Sequence, residues 1–183
     1  RYPLLPQRSL YQALVFAAFS LYWTAVPMAL AGQHGLSQSQ IALFALVGAV
    51  GAIAAPIAGR LADAGHARRA SLLALLLAPL ALLLGLSAPG LSVIGLGLTG
   101  VLLDFAVQMN MVIGQREVYA LDPASRGRLN ALYMTSIFLG GALGSAVASP
   151  LYTQFGWHGV VLVGAGLPLL ALGVFLLISR RAS

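Results

Sequence analysis

The run from Ala70 to Leu86 (ASLLALLLAPLALLLGL) carries no charge and only one polar side chain, Ser71. It constrains this chain more than any other feature. A helix that crosses a bilayer needs about 20 apolar residues, and five further stretches of the chain are comparably long and apolar. The composition points the same way: 60% of residues are hydrophobic and 8% are charged, where a soluble domain carries about 25% charged residues. Burying a core does not account for that deficit, because a small soluble domain must still face water over most of its surface. A transmembrane β-barrel would alternate polar and apolar residues over segments of about ten. The runs here do not alternate, so the expected class is an all-α integral membrane protein.

Six membrane-spanning helices are expected at about Ser9–Leu30, Ser39–Ala58, Ala70–Leu86, Leu91–Gly114, Leu129–Tyr152 and Gly159–Ser179. Residues 1–8 form a leading segment and residues 180–183 a tail. The connections Gly32–Gln38, Ser87–Gly90 and Thr153–His158 are short. Those at Gly59–Arg69 and Gln115–Arg128 are longer and charged. All ten basic residues are Arg, at 1, 8, 60, 68, 69, 116, 126, 128, 180 and 181. With six crossings they all fall on one side, which makes that side cytoplasmic and puts both termini there. The formal charge of +6 is therefore explained by topology and not by a nucleic-acid partner. Arg without Lys, beside abundant Ala, Leu and Gly, has the character of a high-GC bacterial gene. The expected location is the bacterial cytoplasmic membrane. Cys is absent, so no disulfide forms. The chain starts at Arg1 and not at Met, which is expected of a fragment or a processed product. Trp157, Tyr152, Phe155, Tyr22 and Trp23 lie toward the outer ends of spans, where aromatic side chains anchor the membrane interface.

Polar side chains are distributed unevenly. The third and sixth spans are nearly free of them and are expected to face lipid all round. The first carries Gln12, Ser20 and Thr24. The fourth carries Thr99, Asp104, Gln108 and Asn110, and the fifth carries Asn130, Thr135, Ser136, Ser145 and Ser149. A plain helix in every third place is what an internal 3+3 repeat produces. Gly140 and Gly144, with Ala148, repeat at spacing four in the fifth span and predict close helix packing.

Asp104 is the one acidic residue within any expected span, near mid-bilayer. A carboxylate at that depth costs roughly 3 kcal/mol on insertion scales, and no basic residue lies in any expected span to pair with it. The protonated form is therefore favoured. Gln108, one turn on, is positioned to hydrogen-bond it. Two roles are open: a proton or cation site, or a neutral carboxyl that satisfies a neighbouring helix backbone.

Between the second and third spans stands Gly59-Arg60-Leu61-Ala62-Asp63-Ala64-Gly65-His66-Ala67-Arg68-Arg69. Its bare physics is a tight cytoplasmic turn: glycines permit the turn, Asp63 accepts from Arg or from a helix N-terminus, and the Arg residues hold the loop inside. The segment resembles the signature loop of the major facilitator superfamily, a Gly-x-Leu-Ala-Asp-Arg-x-Gly-Arg-Arg pattern. Gly59, Leu61, Ala62, Asp63 and Arg68 or Arg69 match. Ala64 stands where the family carries a basic residue, and Gly65 comes one position early. The segment RGRLNALYMTSIFLGGALGSAVASP (126–150) is similar to the glycine-rich fifth helix of a half. LLDFAVQ with YALDPASRGRLNALYMTS resembles the C-terminal half of bacterial drug:proton antiporter-like members.

The resemblance implies one six-helix half of a twelve-helix fold, with a central cavity between the halves and alternating access. The partners it implies are the lipid bilayer, a small-molecule substrate, protons, and an N-terminal six-helix half or a second copy of the chain. Asp63 would inherit a role in a cytoplasmic gating network, with Arg116 as its expected partner. Asp104 would exchange protons while Gln12, Gln108 and Asn110 face the cavity, giving proton-coupled efflux. A uniporter or nutrient importer of the same fold, and a membrane scaffold without transport, are the alternatives. An enzyme is not expected: there is no nucleophile–base set, no metal-ligand spacing and no phosphate loop, so neither a cofactor nor a metal is expected. His34, His66 and His158 are isolated loop residues.

Overall fold

The structure, a computed structural model, describes residues 3–84 and 92–182. The described residues are helical almost throughout. Helix α1 is Leu4–His34, α2 Gln38–Gly48, α3 Ala54–Asp63, α4 Ala67–Leu83, α5 Val93–Leu121 and α6 Arg126–Ala182. The expected connection Ser87–Gly90 lies outside the described residues, as do the last two residues of the expected third span.

Local chemistry sets the helix ends. Gly35, in the left-handed region at φ 64°, closes α1. Ser37 and Gln40 form a reciprocal capping box at the start of α2. The Ser92 hydroxyl accepts from the Gly95 amide at 3.0 Å and starts α5. Between α2 and α3 the helix tightens into a 3₁₀ stretch, Ala49–Ile53. Pro56 stands in the first turn of α3. It cannot donate to the carbonyl of Ala52 and its ring crowds that carbonyl, so the chain turns more tightly upstream.

Four stretches are long and apolar enough to cross a membrane: Leu4–His34, Gln38–Asp63, Val93–Leu121 and Pro123–Arg181. The expected second span is divided into α2 and α3, and two helices meet within α6. Helix α4 is 17 residues long, and the expected fifth and sixth helices are joined in the 57 residues of α6. At about 1.5 Å per residue that length far exceeds the roughly 30 Å of a hydrocarbon core. Gly156, at φ 71° and ψ −165°, is the non-helical point that interrupts it. The expected connection Thr153–His158 thus shrinks to one residue.

The helices overrun the expected spans. Helix α1 begins five residues before Ser9, and α5 continues seven residues past Gly114. The expected loop Gly59–Arg69 is mostly helix, with Ala64–His66 between α3 and α4, and Gly65 (φ 82°) makes the turn.

Helices α1 and α5 are the most deeply buried. The main core joins α1, α4, α5 and α6 through residues such as Val15, Leu21, Tyr22, Leu75, Leu103 and Val161. A smaller cluster ties α3 and α4 to α5, and a third ties the start of α6 to α5. Trp157 is 3% exposed and packs edge-on against Tyr22 with ring centroids 5.7 Å apart. Both rings are core and not interface anchors. Helix α4 is also one-sided: Ala70, Ser71, Ala74, Leu75, Ala78 and Leu82 are buried, while Leu73, Leu76 and Leu80 are exposed. Its lack of polar residues reflects lipid on one face only.

Candidate transport site and cytoplasmic charge network

Asp104 lies in the middle of α5 and is 6% exposed. Gln108 follows one turn later on the same helix. The 3₁₀ stretch crosses α5 at this point. A Cβ on Gly51 would meet the Val101 carbonyl oxygen at 2.6 Å, Asp104 Cβ at 2.7 Å and the Phe105 nitrogen at 2.8 Å. Only a residue without a side chain fits there, so Gly51 lets two backbones close over Asp104. Among the described residues the ion pairs are Arg8–Glu117 and Arg116–Asp63, and Asp104 belongs to neither.

Gln12 and Asn110 do not share this spot. Both are buried, and they hold each other: Asn110 Nδ2 donates to Gln12 Oε1 at 2.7 Å, and Gln12 Nε2 donates to the Val107 carbonyl at 3.3 Å. Positions 107 and 110 lie on the α1 side of α5. Asp104 faces the 3₁₀ stretch, about 120° around the helix from Asn110 at 100° per residue. The expected single polar set is therefore two. One is the Asp104 carboxyl beneath a glycine crossing. The other is an amide lock between α1 and α5 that leaves Asn110 Oδ1 buried without a partner.

At the end of the bundle that carries the Arg residues, Arg116 reaches across α3 to pair with Asp63. Gly59 makes room for this contact: a Cβ there would meet Arg116 Nη2 at 2.8 Å. Gly59 is thus a helical packing position under the guanidinium and not a turn residue. A cleft of about 720 Å³ opens beside the pair, lined by Asp63, Gln115, Arg116, Tyr119 and Arg126 among others. Arg68 and Arg69 start α4 and are exposed. Arg68 lines a different cavity, beside Arg8.

A second ion pair escapes a reading of the sequence. Arg8 Nη2 and Nε donate to the two carboxylate oxygens of Glu117 at 2.7 and 3.0 Å, and Nη2 also donates to the Ser71 hydroxyl at 2.8 Å. The Arg8 side chain is 4% exposed and Glu117 28%. Both residues fall outside the expected spans and therefore look like loop charges. Pairing them requires α1 and α5 to extend as far as they do. The one sequence signal is an acid, Glu117, directly beside Arg116.

Gly140 and Gly144 face α1. A Cβ on either would run into the main chain of α1, at Ala13 and Ala17 respectively.

Residues 9–183 match the family described as Major Facilitator Superfamily. The chain is similar to the "Uncharacterized transporter YgaY" of Escherichia coli O157:H7, with 39% identity over 176 residues, which are 94% of this chain and 44% of that protein. It is also similar to the "Probable transporter SCO4007" of Streptomyces coelicolor, with 34% identity over 158 residues, 83% of this chain and 35% of that protein. The chain spans less than half the length of these relatives.

Proposed function

This chain belongs to the Major Facilitator Superfamily, and from that premise we propose that it is the C-terminal half of a proton-coupled efflux transporter for small amphipathic molecules, working by alternating access. It is a multi-pass membrane protein related to proteins named as transporters. In this reading α6 crosses twice, bending at Gly156, and the chain makes six crossings as a 3+3 repeat. The one-sided Arg distribution supports cytoplasmic termini, and the host membrane is the bacterial cytoplasmic one. An N-terminal six-helix half, or a second copy of the chain, supplies the other wall of the cavity.

The observation that carries the reading is Asp104: a carboxyl buried in the middle of a membrane helix, beneath the Gly51 crossing and outside both ion pairs. An intramembrane acid of this kind is a functional group by default, because an ionised one is expensive in lipid. Protonation from one side and release to the other would bias two conformations of a single site, since a proton shifts an equilibrium only by its differential affinity for the two states. Arg116–Asp63 would latch the cytoplasmic end in one of them. Gln12–Asn110 would act as a positioning contact that keeps α1 and α5 in register. Gly140 and Gly144 would let α6 pack closely against α1 as the bundle rocks.

The test is Asp104→Asn in the full-length protein, reconstituted in vesicles that carry a pH gradient and ethidium as probe. The expected result is loss of gradient-driven ethidium flux and of the accompanying proton counterflow. Ethidium exchange without a gradient is retained. A variant whose flux still follows the pH gradient would overturn the proton role.

A further inference from the structure

Phe44 lies against Gly97, and Gly51 against Asp104, so α2 and the 3₁₀ stretch run parallel to α5. Between those two levels a side chain from α1 enters the seam. A Cβ on Gly48 would run into Cη2 and Cζ2 of Trp23, and one on Gly100 would meet Cζ2 at 2.8 Å and Cη2 at 3.1 Å. The far edge of the indole is therefore slotted between two glycines on two helices, and a methyl group on either would have to displace it. Phe19, Tyr22 and Phe44 brace the ring, with centroids at 6.3, 5.4 and 5.9 Å. Asp104 lies one turn past Gly100, about 6 Å further along α5 at about 1.5 Å per residue. Both α2 and α5 begin at the end of the bundle away from the Arg residues. The indole thus fills the seam on the Arg-free side of Asp104.

Two observations mark this seat as one the ring can leave. Among the described residues, Trp23 Nε1 is buried with no acceptor. A buried indole N–H usually finds a partner, and one that does not carries its desolvation as a cost of the seated state. Pro27 stands four residues further on inside α1. It cannot donate to the Trp23 carbonyl, so α1 lacks a hydrogen bond at the residue that carries the wedge. Helices bend at such points.

We propose that the Trp23 indole is the gate on the Arg-free side of Asp104: seated between Gly48 and Gly100 it shuts water out, and withdrawn by a bend of α1 at Pro27 it opens the path. Gating of this kind sequesters a site from one side at a time. The role rests on the alternating-access part of the reading above and not on proton coupling. Access to position 104 is therefore the quantity to measure, because it is independent of whether Asp104 carries the proton.

This chain has no Cys, so Asp104→Cys in the full-length protein, with any cysteine of the remainder changed to Ser, gives a single reporter. Its reaction rate with a membrane-impermeant methanethiosulfonate is measured with reagent on one face of the membrane or the other. Adding Trp23→Ala should raise the rate from the Arg-free face about tenfold, equivalent to about 1.4 kcal/mol of lost closure, and leave the rate from the Arg face unchanged. Gly48→Ala should do the same by expelling the ring. Gly48→Ala combined with Trp23→Phe, whose shorter ring leaves room for the methyl, should return the rate toward the starting value. Phe138→Ala, at an exposed ring that packs on Phe16 and lies away from the seam, should change nothing. An equal rise from both faces would mean that Trp23 only stabilises the bundle, and would overturn the gate. So would an unchanged rate in Trp23→Ala, or a failure of Trp23→Phe to repair Gly48→Ala. The Asp104→Asn flux assay decides proton coupling separately, so either idea can fail without the other.

Discussion

Gly51→Ala is the most informative single-methyl perturbation in this bundle. The new Cβ would stand 2.6 Å from the Val101 carbonyl oxygen and 2.8 Å from the Phe105 nitrogen, where ordinary contact begins near 3.4 Å. Two of the three atoms met are main chain, which no rotamer change can clear. The 3₁₀ stretch and α5 must therefore separate by about 0.8 Å at Asp104. Overpacking of this kind costs about 1–3 kcal/mol, partly offset by up to about 1 kcal/mol from replacing a helical Gly with Ala. The net expectation is a loss of about 1–2 kcal/mol. Gly166→Ala is the internal control: nothing lies within 4 Å of its added Cβ, so only the propensity gain of up to about 1 kcal/mol remains. Reversible SDS unfolding in bicelles, followed by far-UV circular dichroism, measures both. Opposite shifts in midpoint are expected, with gradient-driven flux falling in Gly51→Ala as the Asp104 carboxyl is displaced. If the two variants unfold at the same midpoint, the crossing at Asp104 is not as close as described and the argument for a built site there fails.

Three further outcomes are expected. Glu117→Ala leaves the Arg8 guanidinium buried without its counter-ion and should destabilise by about 3 kcal/mol, the low end for a broken buried pair, because Glu117 is 28% exposed; adding Arg8→Met should restore much of this in a double-mutant cycle read by the same unfolding assay. Arg116→Ala should change stability by less than about 1 kcal/mol, as expected for a pair with side chains 47% and 67% exposed, while altering the rate of cytoplasmic opening in a cysteine-accessibility assay. Gly65→Val should cost about 1–2 kcal/mol in thermal stability, since Gly65 sits at φ 82° where a Cβ is strained.

Much of the architecture is legible in the sequence because the bilayer is a simple solvent. Apolar runs such as Ala70–Leu86 must be helical to satisfy their own backbone in lipid. The clustering of Arg and the isolation of Asp104 can be read by counting along the chain. The signature loop around Asp63 points to the family, and through it to Arg116 as a partner, which the structure pairs with Asp63. Helix ends are less legible, because hydropathy stops at the edge of the hydrocarbon while hydrogen bonding does not. Helices α1 and α5 run on into charged sequence, and so Arg8 and Glu117 change from loop charges into a buried pair.

The remainder was decided by tertiary structure alone. Gln12, Asn110 and Asp104 look alike as polar residues in a membrane helix. Rotation about α5 separates them into an amide lock facing α1 and a carboxyl site under Gly51. Trp157 and Tyr22, read as interface anchors, meet in the core because α6 folds back at Gly156. The sequence by itself determined that this chain is helical and membrane-spanning, with its Arg residues gathered at one end. Those properties follow from summed transfer energies, which add along a chain whatever its neighbours are. Which polar side chains meet depends on the rotation and close approach of helices, and that is set by contacts between residues far apart in sequence.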